Sequence, residues 1–488
     1  MGVRRKEEYK MALKDNREFI DALDKAGELV RVKQETDWDC EIGAITRRLC
    51  ETVGSPAALF ENIRDYAGHR ILANSLASWR RIAIAIGLDP ESPVREICEE
   101  YYARSNKRIK PVMVKKAPCQ ENVFTGDDVD LSMFPAPMVH DGDGGRYIST
   151  WHIVIAKDPD SDWTNWGMYR QMIHSKRYLG GLILPTSEMG GIKAKYEAAG
   201  KTMPFATAIG GDPVSILCGS FPVGPGISEV DIAGGMRQEP VELVKAVTSD
   251  LLVPAQAEII LEGELVPGVQ VDEGPFGEFT GFRTSPRAPR PVYKVTAITH
   301  RNDPILTMSN MGMPVDESTI TVGALGYTLP VRRLLEEQRI PITGVYSPPE
   351  MQAMAIVVGT KVPYNHIAMQ IAGIVFGLPV MWGYVSKLIV VDDTVDPYNL
   401  NEVLHALGTK LHPAKGIHVF PSFGAPLQPF LSLDDRIKGH SAKVLFDCTW
   451  PVEWDRETEK PVAVSFKNVY SEEMQKKVLL NWGNYGFK

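Results

Sequence analysis

Two glycine-bearing segments, Asn165-Trp-Gly-Met-Tyr-Arg170 and Glu273-Gly-Pro-Phe-Gly-Glu278, bring together the residue types that acid/base chemistry on an anion requires: an arginine, two glutamates and a side-chain amide. Glycine lets backbone N–H groups approach a ligand closely, and the Gly-Pro-Phe-Gly insert keeps the stretch between the two glutamates from forming a helix. An arginine between two carboxylates would keep one ionised while the other could hold a proton. Without further context, an acidic residue in a glycine-rich turn is ordinarily a solvated loop residue, and the same holds for an isolated arginine.

The elements that must position these segments fall into three stretches. At the N-terminus, a helix capped at Asn16 with Phe19, Ile20 and Leu23 on its apolar face and a stop at Gly27 leads into a strand over Leu29 to Val32. A second amphipathic helix carries Ile42, Ile45, Leu49 and Val53 before Gly54, and Ala58-Leu-Phe reads as another strand. This is a small α/β domain, ending near 115 in the basic, proline-bearing stretch from Lys107 to Pro118. From about 116 to 310, short β-type runs such as His152-Ile-Val-Ile-Ala and Val292 to Ile298 predict a barrel or open sheet. Its glycine clusters, Asp141 to Gly145, Gly180-Gly181 and Gly210-Gly211, read as ligand-facing loops, and none matches a dinucleotide or Walker fingerprint. Residues 311–488 return to alternating helices and strands. Asp396-Pro397 predicts a helix start with Leu400, Val403, Leu404 and Leu407 buried before Gly408. Met474, Val478 and Trp482 fall at helical spacing, which predicts packing on the chain's own core, with a subunit contact as the alternative.

With 488 residues, 44% of them apolar, the chain can bury two or three cores. A formal charge of -8 provides no basic field for nucleic acid, though it leaves room for a local cationic pocket. Six scattered cysteines without a C-x-x-C pair suit reduced thiols in the cytoplasm, and the start, Met-Gly-Val-Arg-Arg-Lys-Glu-Glu, lacks the apolar stretch of a signal peptide. The uncharged run Ile367 to Val385 is near membrane-span length, but Gly373, Gly377, Pro379 and Gly383 divide it. A buried helix is therefore expected, followed by a turn and the strand Lys387-Leu-Ile-Val-Val.

Taken with Gly144-Gly-Arg-Tyr-Ile, Trp163-Thr-Asn-Trp, Glu258-Ile-Ile-Leu-Glu-Gly, Met311-Gly-Met-Pro and Lys477-Val-Leu-Leu-Asn-Trp, the two opening segments make the chain resemble the UbiD family of prenylated-FMN-dependent decarboxylases, in particular the ferulic acid and phenolic acid decarboxylase branch. The match spans nearly the whole chain, with the motifs in the family's order. The resemblance implies an N-terminal α/β domain (1–115), a central split β-barrel of the flavin-reductase type (116–310) and a C-terminal α/β oligomerisation domain (311–488). It further implies a prenylated FMN supplied by a UbiX-like flavin prenyltransferase, its phosphate held through Mn2+ or Mg2+ with K+ beside it, and a homodimer or larger closed oligomer.

Carried over residue by residue, the resemblance makes Arg170, Glu273 and Glu278 the catalytic set. Arg170 would orient the substrate carboxylate, Glu278 would supply the proton that replaces CO2, and Glu273 would hold the arginine. An apolar roof such as Phe279 would favour a protonated Glu278. Asn165, Trp166, Gly167, Met168, Tyr169, Arg170, Ser187, Glu188 and Glu229 would bind the cofactor, with Asn165, Glu188 and Glu229 on the metal. Here the chain departs from the ferulic acid branch, which has a histidine where Glu188 stands in Leu184-Pro-Thr-Ser-Glu188. An amide and two carboxylates form an all-oxygen set suited to Mn2+ or Mg2+; a water-bridged or non-ligating Glu188 is the alternative. The branch's phosphate-binding lysine has no clear counterpart in Pro379 to Tyr384, and Lys387 is the remaining candidate.

The expected activity is the non-oxidative, reversible decarboxylation of an aromatic or α,β-unsaturated acid, under a pocket roof of Phe279 and Met311 to Pro314. Which acid is not legible. The rival readings are a metal-dependent hydrolase, a non-catalytic flavin-binding subunit and an ordinary FMN reductase. His140, Asp141 and Asp143 read as turn residues, His174 as a surface or packing histidine, and Cys218 as a small core residue near the cation site.

Overall fold

The computed structural model describes residues 12–378, 384–424, 427–455 and 458–487. The opening Met-Gly-Val-Arg-Arg-Lys-Glu-Glu and the breakers Pro379 and Gly383 lie outside them. The first helix, Asn16–Lys25, buries Phe19, Ile20 and Leu23, but its cap is Asp15 and not Asn16. The Asp15 carboxylate accepts from the backbone N–H groups of Arg17 and Glu18 at 3.0 and 2.9 Å, leaving Asn16 as the first helical residue. The second helix, Glu41–Cys50, buries Ile42, Thr46 and Cys50 and stops short of Val53, which is exposed because the chain has already turned.

Four strands form the N-terminal sheet in the order Leu29–Val32, Ala57–Phe60, Arg70–Ala73, Ile305–Met308. Its last strand comes from residues expected in the central stretch and runs parallel to Arg70–Ala73, so this sheet is completed by a distant part of the chain.

The central stretch builds a nine-stranded sheet. The pairing is that of an open sheet: among the described residues no sheet closes into a barrel. Its axis is the antiparallel pair Ile259–Glu273 and Ala288–His300. Glu273 is the last residue of the first of these strands, and Glu278 follows in the connection between them. On one side the order continues through Met203–Ile209 and His152–Lys157 to Thr164–Gly167; on the other through Tyr178–Gly181 and Gln171–Ile173 to Tyr147–Ser149. Gly180 and Gly181 are therefore strand residues and not a loop. A Cβ on Gly181 would lie 2.7 Å from the Arg170 carbonyl oxygen, and one on Gly180 would lie 2.9 Å from Val271 Cγ2. Close strand approach behind Arg170, rather than turn conformation, requires glycine there.

The C-terminal sheet has five strands, in the order Ile342–Tyr346, Ala355–Thr360, Lys387–Asp392, His440–Cys448, Ile417–Phe423. The Ile367–Gly377 helix buries Ile367, Ala368, Ile371, Ala372 and Val375 in its core, and among the described residues no helix is long and apolar enough to cross a membrane. The Leu400–Thr409 helix is capped by Asn399, while Asp396 pairs with Arg95. That helix runs through Gly408 and buries Val403 and Ala406, with Leu404 exposed. The expectation that Met474, Val478 and Trp482 pack on the chain's own core is overturned. The Glu472–Leu480 helix buries no residue, and Met474 and Trp482 are 45% and 43% exposed.

Candidate active site

Arg170 lies between the two glutamates. Its Nε and Nη2 donate to the two oxygens of Glu273 at 2.8 and 3.1 Å, a two-pronged, charge-assisted contact, and its Nη1 donates to Glu278 Oε1. All three side chains are nearly withdrawn from solvent, at 8%, 1% and 4% exposure for Arg170, Glu273 and Glu278. Tyr147 donates its hydroxyl to Glu273 Oε1 at 2.7 Å. Burial, and then the Glu273 charge, push the Tyr147 phenol up, so it stays a donor. Phe276, inside the Glu-Gly-Pro-Phe-Gly-Glu connection, places its ring 5.3 Å from the guanidinium centre and 4.3 Å from the Tyr147 ring. The fork geometry of Arg170 is thus fixed from three sides.

A second cluster occupies the edge strand that leads into Arg170. Asn165 and Glu229 are both buried; Asn165 Nδ2 donates to Glu229 Oε1 at 3.3 Å and the Trp166 backbone N–H donates to Glu229 Oε2 at 3.1 Å. Glu229 begins the Glu229–Arg237 helix, a position that favours a negative charge. Tyr169 donates its hydroxyl to Asn165 Oδ1 and accepts from the Met189 backbone N–H, which draws the helix start at Ser187 and Glu188 to the same place. Among the described residues neither Glu188 nor Glu229 has a cationic side-chain partner, and no three His, Cys, Asp or Glu side chains are grouped to hold a metal ion. Burial, with a contribution from Glu188, pushes the Glu229 carboxyl up to about 8. A divalent cation would relieve that cost: a buried carboxylate, a second carboxylate and an amide oxygen suit a hard ion.

The two clusters open onto one cavity of about 300 Å3. Every residue from Asn165 to Arg170 lines it, as do Ser187, Glu188, Glu278 and Phe279, whereas Glu229 and Glu273 stand behind the wall. Of the expected roof, Met311 lines the cavity; Met313 is 56% exposed and does not. Lys387 donates to Ser386 Oγ at 3.0 Å and lies over the Phe430 ring, and it is not among the residues lining the cavity. Cys218 is fully buried and its thiol is pushed well up by burial, which leaves it a core residue; His174 is exposed.

Several lining residues escaped the sequence reading. His152, beneath the Asn165–Arg170 segment, bonds the Tyr169 carbonyl through Nε2 at 2.9 Å, and burial pushes its imidazole down to about 4. Tyr327 and Tyr384 stack with ring centres 6.4 Å apart, and Phe279 meets Tyr384 edge-on at 5.3 Å. The two tyrosines come from the C-terminal part, where only the folded chain shows which side chains reach the cavity.

Comparison with known proteins shows the family. Residues 20–101, 110–314 and 320–448 match the N-terminal, Rift-related and C-terminal domains of 3-octaprenyl-4-hydroxybenzoate carboxy-lyase, the UbiD family. The chain belongs to this family of carboxy-lyases. It is 32% identical over 492 residues to pyrrole-2-carboxylic acid decarboxylase of Pseudomonas aeruginosa, covering 97% of this chain and 98% of that one. It is 31% identical over 499 residues to ferulic acid decarboxylase 1 of Saccharomyces cerevisiae, covering 97% and 98%. Among solved structures, the closed form of Sedimentibacter hydroxybenzoicus vanillic acid decarboxylase superposes with a TM-score of 0.86 at 31% identity, covering 96% and 98%. The UbiD-class enzyme HmfF from Pelotomaculum thermopropionicum in complex with FMN superposes with a TM-score of 0.81 at 29% identity, covering 92% and 97%.

Proposed function

We propose that the protein is a non-oxidative, reversible decarboxylase of an aromatic or α,β-unsaturated carboxylic acid that uses prenylated FMN. The single observation that carries this reading is the buried Arg170 bridging Glu273 and Glu278 at the wall of a cavity with an aromatic roof. Prenylated FMN, when bound, supplies the electron sink that C–C cleavage next to an sp2 carbon needs. Arg170 receives the substrate carboxylate, which competes with Glu278 for Nη1, and Glu273 keeps the guanidinium in place through its two-pronged contact. Glu278, displaced from the arginine, takes up a proton from solvent and delivers it to the carbon that loses CO2, returning to the carboxylate. Phe279, Tyr327 and Tyr384 exclude water and fit a flat substrate.

Asn165, Glu188 and Glu229 would hold Mn2+ or Mg2+ at the cofactor phosphate. With a phosphate beside two carboxylates the site stays anionic, which favours a K+ ion beside the divalent ion or displacement of Glu188. The segment Asn165 to Arg170, with Ser187, would line the flavin. The nine-stranded open sheet is read as the split barrel of the flavin-reductase type within a three-part division at 115 and 310. The third part would carry a homo-oligomer contact, a role supported by the exposed Val464, Leu480, Trp482 and Phe487. A UbiX-like flavin prenyltransferase would supply the cofactor.

Co-expression with such a prenyltransferase, followed by a CO2-release screen of benzoic, heteroaromatic and acrylic acids, tests the proposal. Release from at least one acid is expected, strictly dependent on cofactor loading. Hydrolysis by flavin-free protein, or NAD(P)H oxidation in place of CO2 release, would reject it.

A further inference from the structure

The loop from His140 to Gly145 is locked onto the connection that carries Glu278. Gly144 N–H donates to the Pro275 carbonyl at 2.7 Å, and Gly277 N–H donates to Asp143 Oδ1 at 3.1 Å. The His140 ring lies directly under Gly277, where a Cβ would come within 2.5 Å of Cε1. Both ring nitrogens are engaged: Nδ1 with Asp143 Oδ2 and Nε2 with Asn310 Oδ1, each at 2.8 Å. The amide orientation of Asn310 is set by its Nδ2, which donates to the Gly43 carbonyl at 2.8 Å and faces the Val139 carbonyl at 3.5 Å, so that its oxygen points at Nε2. Asp143 is an acceptor on both oxygens: Oδ2 takes the His140 backbone N–H at 3.2 Å, and Oδ1 takes the Gly277 N–H and Arg283 Nε at 3.1 and 3.3 Å. With an acceptor on either side, the imidazole must donate twice.

We propose that His140 is a positioning residue for the proton donor. It carries a proton on each ring nitrogen, and this doubly donating form ties Asp143, and through it Gly277 and the adjacent Glu278, to the Asn310 side of the molecule. The inference rests on the reading of Glu278 as the donor. The other charged or titratable groups around the ring are Arg283, whose Nη2 donates to the Asp141 carbonyl, and Arg47, whose Nη1 donates to the Asn310 carbonyl at 2.8 Å. The Cys40 thiol, pushed up by burial and by Asp39, Asp141 and Asp143, completes them. An uncharged His140 would have to give up one of its two bonds and release the loop from one side. Asp143→Asn should remove the need for the second proton, because the new amide N–H2 can donate to Nδ1.

The test pairs spectroscopy with kinetics on the full chain. Ring-nitrogen NMR of 15N-histidine-labelled protein, with His140 assigned by its disappearance in His140→Asn, should show two attached protons at pH 7 in the unmodified protein and one, on Nε2, in Asp143→Asn. In cofactor-loaded enzyme, His140→Asn should lower kcat by about 10- to 100-fold, the range expected when a reacting group is misplaced. KM should stay within about 2-fold because the Arg170 contact is intact, and Asp143→Asn should keep most of the activity. A singly protonated His140 at pH 7 overturns the proposal, and so does an unchanged kcat in His140→Asn. If His140→Asn does not fold, the His140 signals are assigned instead as the histidine pair that changes in Asp143→Asn, and loss of the Nδ1 proton there decides it; no histidine changing in Asp143→Asn overturns the proposal. Absence of CO2 release from any acid by the unmodified holoenzyme would sink the decarboxylase reading while leaving the NMR result to judge His140.

Discussion

The two carboxylate clusters facing the cavity are neutralised in opposite ways. At the first, Arg170 bonds both Glu273 and Glu278, so the charges are balanced within the chain. At the second, Glu229 is buried beside Asn165 with Glu188 in range and no cationic partner among the described residues, and its carboxyl is held up at about 8. The difference separates two kinds of site. On the proposed function the first would be preorganised to meet a substrate carboxylate, whereas the second, with no cationic side chain beside it among the described residues, would suit an external cation. His152, bonded to the Tyr169 carbonyl, anchors the segment that joins them.

The comparison can be broken most forcefully at Glu278, the proposed donor. Glu278→Gln should retain cofactor but lose about 10²- to 10⁴-fold in kcat, measured as CO2 release; near-normal turnover would remove Glu278 from the donor role. Arg170→Lys should cost about 10²-fold in kcat/KM, because an ammonium cannot hold Glu273 in two places and also present a donor to the substrate. At the second cluster, Glu229→Ala should weaken manganese binding by about 10²-fold or more, read by metal analysis of the purified holoprotein. Retention of manganese in Glu188→Ala would assign Glu188 a water-bridged or non-ligating role.

The joining segment gives a pH test. The folded-state value of His152, about 4, is depressed by burial below the ordinary 6.5. The unfolded chain therefore takes up the proton first. Its contribution is complete above about pH 6.5 and is lost as pH falls toward 4, on the order of 3 kcal/mol in full. Urea midpoints at pH 7 and pH 4.5 should show the drop, and His152→Gln should flatten it. The smallest effect is expected for Tyr147→Phe, which removes one bond to Glu273 while Arg170 still supplies two. Roughly 1 kcal/mol of stability and a several-fold loss in kcat are the expected readings in denaturant and rate measurements.

The sequence was most readable where period and spacing act locally. The apolar face of Phe19, Ile20 and Leu23 follows from the helical repeat, and the short apolar Leu29–Val32 run after the Gly27 stop reads as a strand; the folded chain has both. Cap positions moved by one to three residues, from Asn16 to Asp15 and from Asp396 to Asn399, because several polar side chains near a helix start compete and the surrounding contacts choose among them. Gly180 and Gly181 were misread as a loop because composition cannot distinguish a glycine that permits a turn from one that admits a neighbouring strand. The His140 to Asp143 turn carries more than its local conformation suggested, since its partners, Gly277 and Asn310, lie far along the chain.

Residue types and motif spacing put an arginine together with Glu273 and Glu278 and pointed to the family, and the resemblance to that family then added Asn165, Glu188 and Glu229. Those are properties of covalent order and local chemistry. Folding alone decided that Glu273 and Glu229 would stand behind the cavity wall while Glu278 and Glu188 line it, and that Tyr327 and Tyr384 would reach the cavity. It also decided that Ile305–Met308 would complete the N-terminal sheet. These outcomes depend on long-range pairing and burial, where the free energy of a contact is set by what arrives from elsewhere in the chain rather than by its neighbours in sequence.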